Sequence, residues 1–226
     1  HQGDEDFPFE VPEFQISCMF TDSQNNLWIG STDQGYTVCY HYKERFNNDN
    51  YIRSYFNNKS VVSASAEKNG ILWITTLSDG VYRYDLNNKK VVPIDMEKIF
   101  PELRQKAVRV NQIFVDNDNN LWMTVTNNKV LKCQYSNNDL HIINEYDIKY
   151  PMSITQDYNG SIWIGTASPY VYKIAPEEKV FREITAFDIS TGSNFTFIPG
   201  LLAMKDGNLL VAAFNKPMQL INTQTG

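Results

Sequence analysis

An all-β fold built from repeated four-stranded sheets follows from three observations. A phrase made of an acidic or Asn/Gly-rich turn, an apolar pair and a strand occurs five times in 226 residues. All four tryptophans, Trp28, Trp73, Trp122 and Trp163, occupy one position in that phrase. The runs around them alternate with period two, are rich in β-branched and aromatic residues, and are separated by Asn, Asp, Gly and Pro.

The intact copies run from Asp22 to Trp28, Glu67 to Trp73, Asp116 to Trp122 and Asp157 to Trp163, and a decayed fifth runs from Lys205 to Leu210. Successive tryptophans are 45, 49 and 41 residues apart, and Leu210 stands 47 beyond the last. Periods of about 40 to 50 residues with strand content are those of β-propeller blades, whereas helical repeats of similar length would show a different patterning. The predicted architecture is a β-propeller of about five four-stranded blades at 15–57, 61–94, 108–147, 151–187 and 196–222.

Within the blades, the innermost strands fall at 15–21, 61–66, 108–115, 151–156 and 196–204, and second strands at 27–32, 71–76, 121–126, 161–166 and 208–214. Third strands fit 36–42, 80–85, 129–135, 170–174 and 217–222, and outer strands fit 51–56, 90–94, 141–147 and 180–187. An extra extended segment, 6–12, carries Pro8 and Pro12 and suits an edge strand. It either closes a five-bladed ring or ends a preceding blade of a larger propeller; the second reading is favoured.

In the turn between first and second strands, Asn and Gly tolerate positive φ and Asp accepts local backbone hydrogen bonds. The tryptophan that follows is large enough to cover the gap to an adjacent blade, with an indole N–H that needs an acceptor. Gly30 and Gly165 allow a close approach of neighbouring groups.

These residues also carry a family resemblance. The stretches Asp157-Tyr-Asn-Gly-Ser-Ile-Trp-Ile-Gly-Thr166 and Asp79-Gly-Val-Tyr-Arg-Tyr-Asp85 resemble the two-component regulator propeller repeat, which touches every blade. The fifth copy departs most, with Leu210 for Trp and Ala212-Ala213 for Gly-Thr. The resemblance implies the extracytoplasmic sensor region of a hybrid two-component histidine kinase/response regulator with seven-bladed propellers. It further implies a periplasmic ectodomain, an oligosaccharide ligand, control of glycan utilisation and a homodimer formed through the parent protein. The phosphoacceptor histidine would lie elsewhere, so this portion is expected to have no catalysis of its own.

Composition narrows the classes further. A net charge of −6 and a pI near 5.1 exclude the basic stripe of a nucleic-acid-binding surface. No apolar run is long enough to span a membrane, and the polar residues 1–6 read as a trimmed end rather than a secretory signal. Cys18, Cys39 and Cys133 cannot all pair and read as buried free thiols. Asp116-Asn-Asp-Asn-Asn120 opens like a calcium loop but has Leu121 and Asn127 where such a loop needs Gly and Glu. The histidines, His1, His41 and His141, lack metal-ligand spacing, so no metal or cofactor is expected.

The Asp turns occupy one face of the blades, so the opposite rim gathers the second-to-third loops and the blade links. That rim is the expected ligand face, with candidates Tyr36, Asp79, Arg109, Asn127, Tyr150, Tyr170, Phe195 and Phe214. Aromatic platforms beside planar polar groups suit sugar rings, whose C–H faces stack while their hydroxyls take hydrogen bonds. The insertion at 95–106 has helix-like spacing and is expected to lie over the same rim. Trp28, Trp73, Trp122 and Trp163 are expected to be structural. Two other readings stay open: a propeller lyase or glycosidase, which needs a carboxylate or histidine cluster at the axis, and a protein-binding scaffold.

Overall fold

The computed structural model describes residues 16–23, 26–32, 35–39, 50–101, 108–187, 196–214 and 216–224. They belong to two compact units, His1–Pro93 and Ile94–Gly226. The expected strand at 6–12, and the histidines at 1 and 41, lie outside the described residues.

The fold is an all-β propeller built of five sheets. The first unit holds a sheet of β1 (Ile16–Thr21), β2 (Leu27–Ser31) and β3 (Tyr36–Cys39). It also holds a second sheet of β4 (Val61–Ala66), β5 (Ile71–Thr76), β6 (Gly80–Asp85) and β7 (Lys90–Ile94). In the second unit β8 (Val110–Val115), β9 (Leu121–Val125), β10 (Lys129–Ser136) and β11 (Asp139–Asp147) form one sheet. The next is β12 (Pro151–Gln156), β13 (Ile162–Thr166), β14 (Tyr170–Ile174) and β15 (Arg182–Thr185), and the last is β16 (Gly200–Ala203), β17 (Asn208–Ala212) and β18 (Gln219–Asn222). Strands that follow one another in the chain are neighbours in every sheet, as four-residue to nine-residue strands joined by tight turns require. The first strands of four sheets carry the same bulge, with Ser17, Val62, Asn111 and Met152 as the extra residue.

One carboxylate anchors each of the four intact phrases. Asp157 Oδ2 accepts the Trp163 indole N–H at 2.8 Å, while Oδ1 accepts the backbone N–H of Asn159 and of Ser161, both at 2.9 Å. Asp116 repeats this with Trp122 at 2.8 Å, Asp118 at 3.0 Å and Asn120 at 2.8 Å. Asp22 accepts Trp28 at 2.9 Å, and Glu67 accepts Trp73 at 2.7 Å. Each acid therefore supplies the acceptor that a buried indole needs, and the three aspartates also close their own turns. In the four copies whose turn is fully described, it closes through a left-handed residue at the same place, Gly70, Asn119, Gly160 and Gly207.

The tryptophans bind each sheet to the one that follows within a unit. Trp122 packs with Ile154, Ile164 and Ile174 of the next sheet, and Trp163 with Ile198, Leu209, Val211 and Ile221. Trp28 does the same with Leu72, Ile74, Tyr82 and Tyr84. On the outer side, the ammonium groups of Lys132 and Lys173, cross-strand neighbours of Trp122 and Trp163, lie 5.2 and 5.1 Å from the indole centroids.

In the fifth sheet all three partners change together. Met204 stands where the acid would be, Leu210 where the Trp would be, and Leu220 opposite Leu210 where the cation would be. Removing the indole removes the need for its acceptor and its cation. What remains is an aliphatic row, Leu202–Leu210–Leu220, whose outer members are 54% and 61% exposed.

Gly165 reflects a second device. A Cβ there would stand 2.8 Å from both the Ile198 carbonyl oxygen and its Cγ2, and against the Ser153 hydroxyl. Ser153 Oγ instead donates to Ile198 O at 2.7 Å and ties the fourth sheet to the fifth. In the third sheet Thr124 takes the glycine's place and makes the link itself, accepting from Gln112 N at 3.0 Å and donating to Met152 O at 3.3 Å.

Two elements differ from the sequence-based expectation. Residues 51–56 form no outer strand; α1 (Asn50–Phe56) is a helix. Helical spacing puts Ile52, Tyr55 and Phe56 on one face, where Phe56 and Tyr55 meet the Tyr82 ring edge-on at 5.2 and 6.0 Å. Strand alternation would have buried Ser54 with Ile52 and Phe56 and left Tyr55 outside. The insertion does form a turn of helix, α2 (Met96–Ile99), but it packs on β11 rather than over the rim. Met96 and Phe100 are buried, and Lys98 Nζ reaches Asp139 Oδ2 at 3.1 Å beside the β10–β11 turn, on the same side as the Asp116 turn.

Cys133 is a buried free thiol on β10. Burial, helped by the charge of Glu145, pushes its pKa from about 9 up to about 12. The thiolate is the reactive form, so native Cys133 is expected to resist iodoacetamide at mildly alkaline pH and to react once the chain is unfolded. Because the folded pKa lies above the unfolded one, the stabilising contribution is complete below about 9 and is lost as pH rises towards about 12. Mass spectrometry of alkylated protein and alkaline thermal melts check the two expectations.

Candidate functional site

The rim of the second unit is assembled by one repeated backbone rung. Thirteen residues before each Trp-position residue, a carbonyl accepts the N–H of the residue four beyond it: Arg109 O from Thr126 N at 3.0 Å, Tyr150 O from Ala167 N at 2.8 Å, and Phe197 O from Phe214 N at 2.8 Å. Among the described residues the first unit shows it at Ser60 O, which accepts from Leu77 N at 2.8 Å. The rung closes the sheet end opposite the Asp turn, where the innermost strand begins and the second strand finishes.

Neighbouring rungs are tied to one another. Asn128 Oδ1 accepts the Tyr150 N–H at 2.8 Å, and Thr166 O accepts the Ile198 N–H at 2.9 Å. A continuous belt of hydrogen bonds and peptide links thus runs from Arg109 through Thr126, Asn128, Tyr150, Ala167 and Phe197 to Phe214. Tyr150 holds φ = 52° and Asn128 φ = 67°. Asn visits that region readily, while a bulky aromatic residue does so at a cost.

The predicted site residues separate into those turned inward or held and those facing outward. Tyr36 opens β3 and stacks on Trp28 at 5.3 Å and 27°, so its ring belongs to the packing. Asp79 lies 3.6 Å from Lys59 Nζ, and its backbone N–H donates to Thr76 Oγ1 at 3.0 Å. Asn127 Oδ1 is buried and has no hydrogen-bond partner among the described residues. Tyr170 opens β14 half-buried, its carbonyl accepting from Thr166 Oγ1 at 2.7 Å. Arg109 is exposed, and Tyr150 and Phe214 are exposed by 59% and 62%. Phe195 lies outside the described residues. Arg109, Tyr150 and Phe214 share the belt, whereas Tyr36 and Asp79 belong to the first unit. The four tryptophans are buried in the scaffold as described above.

Four belt residues are not among the sequence-predicted site residues, Thr126, Asn128, Ala167 and Phe197. The signal for Phe197 was available in the constant distance to the Trp position, which selects Ser60, Arg109, Tyr150 and Phe197. Asn128 carried no signal, because its amide matters through a backbone N–H 22 residues away.

Several polar side chains of the innermost strands link one sheet to the next. Asn111 Nδ2 donates to Pro151 O at 2.8 Å, Gln112 Oε1 accepts from Ile154 N at 2.7 Å, and Gln156 Oε1 accepts from Asn117 N at 2.8 Å. Among the described residues no group of three His, Cys, Asp or Glu could hold a metal. The outward rim side chains are suited to stacking and hydrogen bonding.

Residues 15–33 and 147–168 match the two component regulator propeller family. No curated protein matches the chain. Among solved structures it is similar to an extracellular domain assigned to a hybrid two component system of B. thetaiotaomicron, with a TM-score of 0.64 and 17% identity over 96% of this chain and 33% of that one. A second such domain from B. thetaiotaomicron gives 0.64 and 17% over 92% of this chain and 27% of that one. Streptogramin B lyase gives 0.61 and 18% over 96% and 71%. The chain thus spans a third or less of the extracellular domains it matches. At these identities the likeness is one of fold. No helix among the described residues is long and apolar enough to cross a membrane.

Proposed function

We propose that this chain is part of the extracytoplasmic sensor of a hybrid two-component system, and that it senses an oligosaccharide that controls glycan utilisation. The observation that carries the reading is the pairing of two component regulator propeller repeats with a propeller similar to two extracellular domains of such systems. The parent protein would be a periplasm-facing, homodimeric histidine kinase, and the ligand would favour one dimer arrangement over another by binding it more tightly. The acidic chain would contact neither nucleic acid nor membrane. The exposed aromatic and arginine side chains of the belt support a sugar ligand, with hydroxyls bonded at the rim edge.

The likeness to streptogramin B lyase keeps an enzymatic reading in view. Against it weigh Asn111, Gln112, Ser153 and Gln156, described inner-strand side chains that are engaged in hydrogen bonds between sheets rather than presented to a substrate. Thermal-shift titration with a panel of neutral and acidic oligosaccharides tests the sensor reading. A cognate ligand at 100 times its Kd is expected to stabilise the chain by about 2.7 kcal/mol. Released product in the same incubations would favour an enzyme, and a flat panel with a protein recovered by pull-down would favour a scaffold.

A further inference from the structure

The belt of the second unit goes further than a list of exposed residues, because one of its members combines a strained backbone with an exposed aromatic ring. Tyr150 sits at φ = 52°, a conformation that Gly or Asn adopts easily and a bulky side chain resists. Its side chain is 59% exposed, so core packing does not explain the tyrosine. Two hydrogen bonds hold it there, from its N–H to Asn128 Oδ1 at 2.8 Å and from Ala167 N to its carbonyl at 2.8 Å. Strain kept in place by its surroundings and presenting an aromatic ring to solvent is the pattern of a preorganised contact.

The same rung supplies the neighbouring aromatics. Phe197 and Phe214 are its two ends in the following sheet, Phe197 half-buried and Phe214 62% exposed. Across the repeats the rung positions differ in every copy, Ser60/Leu77, Arg109/Thr126, Tyr150/Ala167 and Phe197/Phe214, while the acid and Trp of the opposite end recur. Thr126 still serves the scaffold, its Oγ1 accepting the Arg109 N–H at 3.0 Å, whereas Tyr150 and Phe214 are exposed by 59% and 62%.

We propose that Tyr150, Phe197 and Phe214 form a subsite for the apolar face of a pyranose ring, and that Asn128 is a positioning residue that sets the Tyr150 ring. This rests on the oligosaccharide-sensing reading and deepens it by assigning the subsite. Arg109, at the next rung, lies where the hydroxyl edge of an adjoining ring would take hydrogen bonds. Asn127, whose Oδ1 points inward, is not part of the contact.

The test uses the whole chain with ring-labelled Tyr and Phe, titrated in the NMR tube with methyl β-D-glucopyranoside, methyl β-D-galactopyranoside and methyl α-D-mannopyranoside. At least one glycoside is expected to shift the Tyr150 and Phe214 ring signals. Tyr150→Asn, which accepts the left-handed backbone, and Asn128→Gly, which keeps that backbone but deletes the amide, are each expected to weaken the effect by ~10-fold, the loss of one stacking contact. The melting temperature of Tyr150→Asn is expected to hold or rise.

A fall in that temperature would make Tyr150 a packing residue and overturn the proposal, as would ring shifts that both variants leave intact. Rings that answer phenol but none of the glycosides would also overturn it, by pointing to a flat aromatic ligand. If an oligosaccharide stabilises both wild type and Tyr150→Asn equally, the subsite fails and the sensor reading stands. If no sugar produces a response in either experiment, both fail.

Discussion

Replacing Asp157 by alanine is expected to destabilise the chain by about 3 to 5 kcal/mol, because a buried indole N–H and a turn N–H lose their acceptor at once. Trp163 and Asp157 are both buried, so water does not replace the carboxylate for the indole. Of the two turn donors, Asn159 is exposed and can turn to solvent, while Ser161 is buried and cannot. Trp163→Leu is expected to cost about 2 to 4 kcal/mol through lost packing against Ile198, Leu209 and Val211, and it leaves the carboxylate short of a donor. The informative variant is the pair Asp157→Met with Trp163→Leu, which writes the fifth sheet's Met204 and Leu210 into the fourth. Urea unfolding of the two single variants and the double should show a coupling of about 1.5 to 3 kcal/mol, the worth of a hydrogen bond to a charged partner. Strict additivity would mean that the bond contributes nothing and that Asp157 serves the turn alone.

Gly165→Ala is expected to cost about 2 to 3 kcal/mol, the upper part of the range for overpacking a filled interior. The added methyl meets the Ile198 carbonyl oxygen and Cγ2 at 2.8 Å, and the backbone of the next sheet cannot retreat without losing the Ser153–Ile198 and Thr166–Ile198 hydrogen bonds. Ser153→Gly removes one of the obstacles but not the carbonyl, so the double variant should recover only part of the loss. Gly207→Ala is the control: it has no atom within 4 Å of the new Cβ but has φ = 86°, and it should lose only about 1 kcal/mol through the backbone. Equal losses at Gly165 and Gly207 in chemical denaturation would show that conformation, not close approach, explains both glycines.

Both predictions concern the repeated phrase, which is where the sequence was most readable. An acid six residues before a tryptophan, with a turn between, is a local pattern, and the bonds it makes close within those residues. The rim is different. Tyr36 looked as available as Tyr150 in the sequence, yet one ring lies on Trp28 and the other stands in solvent. Only the neighbours that surround each ring distinguish them. Residues 51–56 show the same limit at the level of an element, since Tyr-Ile-Arg-Ser-Tyr-Phe satisfies strand propensity and a helical apolar stripe alike. The choice was made by Tyr82, which offers a surface that Tyr55 and Phe56 can meet together only from a helix.

By itself the sequence determined the blade: its period, its strand order, its turns, and the burial of its tryptophans. These follow from hydrogen bonds and side-chain alternation spanning a few residues, and the chain repeats them until they are unmistakable. The tertiary structure decided which sheets are joined by Ser153 and which by Thr124, and which rim side chains the scaffold consumes. It also decided that Asn128 reaches across to hold Tyr150 in a conformation a tyrosine would not choose. Those contacts link residues 22 to 45 positions apart, and their partners are set by how the sheets pack rather than by any local pattern.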